Sequence, residues 1–93
     1  MSEFSIFKQP HEVMLEISSR EKKLRKKQKL TQAELAKKAG VSLGSLKRFE
    51  QTGEISLSAL LKIARFLDVL NDFNLIFTSN DETTKDLEKL FDN

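Results

Sequence analysis

Cysteine is absent and histidine occurs once, at His11. Without thiols there is neither a disulfide framework nor thiolate chemistry, and one imidazole cannot build a zinc site. No metal and no other cofactor is therefore expected. No apolar run approaches the roughly 18–20 residues that span a bilayer. The first residues also lack the charged-then-apolar pattern of a secretory signal, so no membrane partner and a cytoplasmic location are expected. There is no glycine-rich phosphate loop. The carboxylates fall on solvated helical faces or near the C-terminus, with no spacing suited to acid–base work. The chain is therefore not read as an enzyme. Exposed aromatic platforms of the kind that stack single-stranded RNA are missing as well.

What is present is a sequence of 93 residues, enough for one compact helical core. The net charge of +2 conceals an asymmetry: residues 1–50 hold 12 Lys/Arg against 6 Asp/Glu, whereas residues 51–93 hold 4 against 8. A basic half beside an acidic half suggests a separate partner for each.

The chain is organised around Thr31–Gln51, TQAELAKKAGVSLGSLKRFEQ. Thr31 precedes a short helix over about residues 32–39, with Glu34 at capping-box spacing. Gly40 stands where a helix ends through left-handed backbone angles. Val41 plugs the turn, and Ser42 caps a second helix over about residues 42–51. Leu46 and Phe49, three apart, point back toward the first helix. Two helices joined by a tight turn form a helix-turn-helix, whose second helix enters the major groove of DNA. The concentration of positive charge beside it suits a polyanion, since bound phosphates release counterions.

Gln32, Leu35-Ala36, Ala39-Gly40-Val41-Ser42, Leu46 and Phe49-Glu50 resemble, in a single register, the Xre/Cro family of prokaryotic repressors. The resemblance spans about residues 24–67. It implies an all-α fold, a five-helix, lambda repressor-like helix-turn-helix domain. It also implies an ion pair between Arg25 and Glu50, in which a planar guanidinium fork meets a carboxylate. Lys29 stands where that family often has glycine, so a positive φ is expected there. Glu21 replaces the usual aliphatic residue, so less burial or a bend is expected. The other cations of the run from Lys22 to Lys29 read as a solvated face.

The second helix presents Leu43, Gly44, Ser45, Lys47 and Arg48 outward. Gly44 costs the helix about 1 kcal/mol relative to alanine and admits close approach of its backbone to bases or sugar. Leu43 suits a thymine methyl and Ser45 a base edge or phosphate. Arg48 suits a bidentate contact to guanine or, nearly as well, a phosphate, and Lys47 suits the DNA backbone. Thr31, Gln32 and Ser42 at the helix N-termini and Gln51 and Thr52 after the second helix complete the DNA-binding set.

Outside the motif, residues 1–9 form an N-terminal arm, with Phe4, Ile6 and Phe7 as a short strand, an apolar contact or a frayed end. Residues 10–78 form the DNA-binding and dimerisation domain, and residues 79–93 an acidic tail with Leu87, Leu90 and Phe91 at helical spacing. Helix 1 is expected over about residues 10–28, with Val13, Met14, Ile17 and Leu24 inward. Ser56 caps a helix whose Leu57, Leu60, Leu61, Ile63, Ala64 and Leu67 form a broad apolar stripe. Residues 70–78 fit a helix better than a short strand near 73–78, though both periods can be read. Leu70, Phe73, Leu75, Ile76 and Phe77 are assigned to a two-fold dimer interface, or else they complete the monomer core.

Leu46–Leu57 and Asp72-Phe73 also resemble the Hip-type antitoxins, small Xre-type proteins that repress their operon and bind a Ser/Thr-kinase-like toxin. The expected partners are thus double-stranded DNA with a palindromic operator, a second copy of the chain and such a toxin. The alternative is a stand-alone Xre-type regulator, phage or chromosomal, without a toxin.

Overall fold

The structure, a computed structural model, describes residues 8–79. Among the described residues there are four α-helices: α1 (Pro10–Lys27), α2 (Gln32–Ala39), α3 (Leu43–Thr52) and α4 (Leu57–Phe66). A 3₁₀ segment, Leu70–Phe73, follows. The N-terminal arm apart from Lys8 and Gln9, and the tail after Ser79, lie outside the described residues.

Local chemistry sets the boundaries. Pro10 opens α1 at its first position, where a missing N–H costs nothing. Thr31 Oγ1 accepts from Glu34 N–H (3.0 Å) while Glu34 Oε1 accepts from Thr31 N–H (2.8 Å). The Thr31 backbone N–H holds the Glu34 carboxyl below its usual range. Ser42 Oγ and Ser56 Oγ accept from the N–H of Ser45 and Ala59. Gly40 and Gly53 end α2 and α3 in left-handed backbone, φ 81 and 82. Lys29 is left-handed too, φ 61.

The core is Leu35, Ala36, Ala39, Leu46, Phe49, Ile63 and Leu67, with Ile17, Leu24, Leu30, Val41, Ile55, Leu60 and Val69 packed against it. Each of the fully buried Phe49, Leu35, Leu46 and Ile63 contributes about 1.5–3 kcal/mol by leaving water. α3 packs on α1 and α2, α2 packs on α4, and α4 packs on the 3₁₀ segment.

Several expectations are corrected. The five-helix architecture is four α-helices and a 3₁₀ segment among the described residues, and no strand forms near residues 73–78. Left-handed backbone at Asp68 (φ 65) redirects the chain after α4, and a second left-handed residue, Phe77 (φ 70), interrupts any extended run. Val13 is exposed rather than inward, because α1 meets the core along the row Ser18, Glu21 and Arg25. Glu21, expected to reduce burial, is itself buried. Leu57, counted in the core stripe of α4, faces outward at its first turn.

Candidate nucleic-acid interface

α3 divides into two faces. Leu46 and Phe49 are buried against the core, whereas Leu43, Gly44, Lys47, Arg48 and Gln51 are exposed and Ser45 and Thr52 half-buried. A Cβ added at Gly44 would have no neighbouring atom within 4 Å, so the backbone there is bare. Thr31 and Ser42, both exposed, lie at the N-termini of α2 and α3, where their oxygens cap. Each hydroxyl keeps its own proton for an acceptor outside the chain.

Behind this surface lies a buried charged cluster. Arg25 Nε donates to Glu50 Oε2 and Arg25 Nη2 to Glu50 Oε1, both at 2.8 Å. Arg25 Nη1 donates to the Leu30 carbonyl at 2.8 Å. Gln32 Nε2 donates to Glu50 Oε1 at 2.9 Å. One carboxylate thus joins α1, α2 and α3. Burial alone would push Glu50 up, but hydrogen bonds from Arg25 and Gln32, with the neighbouring Glu21, outweigh it and hold Glu50 below the usual carboxylate range. The Glu50 carboxylate in turn raises Arg25, so both stay charged. Removing one partner would strand the other, a loss of about 3–5 kcal/mol for buried pairs.

Glu21 is 6% exposed, and its carboxyl oxygens accept no hydrogen bond; the group it faces is the Glu50 carboxylate, to which the protonated acid can donate. Burial first, and then the Glu50 carboxylate, push it up to about 8, against the pull of Arg25 and Lys22. It is a neutral acid at pH 7.

At the other end of α3, Arg48 Nη2 donates to Glu54 Oε1 at 2.5 Å, with both side chains largely exposed. Thr52 Oγ1 donates to the Arg48 carbonyl (2.7 Å) and accepts from Glu54 N–H (3.1 Å). The turn after α3 is thereby folded back beside Arg48. Ser45, Arg48, Glu54, Ile55 and Ser56 line a shallow concavity with Met14 of α1.

Leu43, Gly44, Lys47, Arg48 and Gln51 are exposed on α3, and Thr31 and Ser42 at the helix N-termini; two of the expected residues are engaged within the fold. Gln32 uses one amide N–H on Glu50, and Thr52 uses its hydroxyl within the turn. Sequence reasoning missed Glu54, which no periodicity links to Arg48, and the burial of Glu21, for which its position one turn before Arg25 was an available signal.

Of the five apolar residues assigned to the interface, Phe73 is half-buried and lines, with Ile76, a cavity of about 330 Å³ between α1, α4 and the 3₁₀ segment. Leu70 borders a groove on the outer face of α4 with Leu57 and Leu61. Leu75 and Ile76 are half exposed and Phe77 is 99% exposed. No helix among the described residues is long and apolar enough to cross a membrane.

Compared with known families, residues 22–70, more than half of the chain, match the model described as helix-turn-helix. No curated protein matches the chain.

Proposed function

The chain belongs to the helix-turn-helix family, Xre type, through residues 22–70, and from that premise we propose that it is a sequence-specific transcriptional repressor that binds a palindromic operator as a homodimer. The observation that carries this reading is the outer row of α3: Leu43, Gly44, Lys47 and Arg48 are exposed, while the same helix is anchored from behind by Leu46, Phe49 and Glu50. A helix fixed on one side and bare on the other suits insertion into a major groove.

On this reading Arg48 meets a guanine edge and Leu43 a thymine methyl, with Ser45 at an adjacent base edge or phosphate. Gly44 brings the α3 backbone close to the duplex. Thr31, Gln32, Ser42, Lys47 and Gln51 hold the phosphate backbone and set the register, while Thr52, its hydroxyl engaged within the turn, shapes the end of α3 beside them. Few long polar side chains line α3, so groove shape and deformability share in the specificity. Two copies place their α3 helices about 34 Å apart, one DNA turn.

The test is R48A, titrated against a selected operator and a random duplex at one stated salt concentration. Operator affinity is expected to drop by about 1–3 kcal/mol, with relaxed preference at one base position. An equal loss on both duplexes would reduce Arg48 to a phosphate contact.

A narrower reading makes the protein the antitoxin of a Hip-type operon. It rests on the resemblance over Leu46–Leu57 and on the acidic balance of residues 51–93, a charge suited to a toxin rather than to DNA. Co-purification of a kinase-like product of an adjacent gene, lost on deletion of residues 79–93 while operator binding persists, is the expected result. Failure to recover such a protein favours the stand-alone regulator.

A further inference from the structure

We propose that Glu54 is a specificity-determining residue that keeps Arg48 from DNA phosphates and leaves it available to a base. The inference rests on the DNA-binding reading above and deepens it. Three observations carry it. Arg48 Nη2 is held by Glu54 Oε1 on the outer surface of α3. Glu54 is set in place by the Thr52 hydroxyl, which bridges the Arg48 carbonyl and the Glu54 N–H. Both charged side chains are solvent-exposed, at 68% and 52%, so DNA can reach them.

A guanidinium carries several N–H donors, and Glu54 takes one on Nη2. Which acceptor the remaining donors can meet depends on the charge of the incoming group. A phosphate oxygen drawn to Arg48 is also drawn to the Glu54 carboxylate, so attraction to one is offset by repulsion from the other. The N7 and O6 acceptors of guanine are neutral and incur no such penalty, and they lie in a plane that a fixed guanidinium can match. Magnitudes favour the same outcome. An exposed ion pair is weak, so it yields or adjusts to a bidentate base contact, which is the stronger of the two. A single phosphate contact at the same exposed site is screened and weak as well, so the neighbouring Glu54 carboxylate offsets it. Glu54 thus lowers affinity for arbitrary sequence more than affinity for the operator.

The experiment uses the full chain, an operator selected by the wild-type protein from a randomised duplex pool, and a scrambled duplex, each titrated across a salt series. E54A and the isosteric E54Q are expected to bind the scrambled duplex about 3–10-fold more tightly and to steepen its salt dependence by about one released ion. The operator-to-scrambled ratio falls accordingly. In an R48A background the same substitutions are expected to change the ratio little. If E54A leaves ratio and salt slope at wild-type values, the proposal is overturned. An equal effect of E54A with and without Arg48 also overturns it, by making Glu54 a general negative charge. If the wild-type protein enriches no sequence from the pool, the DNA-binding reading itself has failed, and this inference falls with it.

Discussion

Glu21 keeps its proton at neutral pH because burial and the adjacent Glu50 carboxylate both oppose a second negative charge in that space. Its folded-state value of about 8 lies above the ordinary 4.5. Between those limits the folded chain holds a proton that the unfolded chain has lost, so stability must fall as pH rises. The contribution is whole below 4.5 and gone once pH has passed about 8. Glu50, held low, acts in the opposite sense: its contribution is present above the ordinary range and is lost as pH falls. Denaturant titrations at pH 5.5 and pH 8.5 should show the wild-type protein losing on the order of 1–3 kcal/mol across that interval. E21Q, which cannot ionise, should be nearly flat, and an equal slope in E21Q would place the titrating group elsewhere. The sequence marked Glu21 only by its place at a usually aliphatic position one turn before Arg25; its burial and retained proton were not legible there. Only the packing of α1 on α3 turns the row Ser18, Glu21 and Arg25 inward.

At the scale of elements, the helix-turn-helix was readable because its boundaries are written in short-range chemistry. The hydroxyls of Thr31, Ser42 and Ser56 cap α2, α3 and α4, and Gly40 and Gly53 close α2 and α3. Residues 70–78 were not readable, since Leu70, Phe73, Ile76 and Phe77 satisfy a helical period while Phe73, Leu75 and Phe77 satisfy an alternating one. The outcome turns on left-handed backbone at Asp68 and Phe77, two residue types that carry no glycine-like warning. The glycines of α3 separate the needs of the helix from those of its surface. G44A meets no atom and should stabilise α3 by about 0.5–1 kcal/mol, yet weaken operator binding by blocking backbone approach. G53A should destabilise by about 1–2 kcal/mol. Its φ is +82, and the new Cβ would lie 3.0 Å from Met14 Cβ and 3.1 Å from the Met14 carbonyl carbon. Urea titrations paired with shift assays check both; a G44A protein that binds operator as well as wild type would remove the close-approach role.

For the whole molecule, Leu57, Leu75, Ile76 and Phe77 form an apolar surplus left exposed on α4 and after the 3₁₀ segment. Under the proposed function a second copy of the chain is the economical cover for it, because the proposed palindromic operator would demand two-fold pairing. L75S/F77S should therefore sediment at half the wild-type mass and lose most of its operator affinity while its melting temperature changes little. A wild-type protein already monomeric at micromolar concentration would count against that interface. The apolar surplus was visible in the sequence, but its division was not. Phe73 turns toward the α1–α4 cavity, whereas Phe77 is wholly in solvent.

The Glu50 cluster bears on how a genetic screen of this protein would be read. Under the proposed function, a colony assay for lost repression would return changes at position 50, and at 25 and 32 with it, as readily as changes at Arg48. Yet Glu50 is interior, and its substitution would slacken the joint between three helices rather than delete a touchpoint on the duplex. Sorting such hits by heat tolerance before assigning them to the operator would keep scaffold failures from being mistaken for the recognition code.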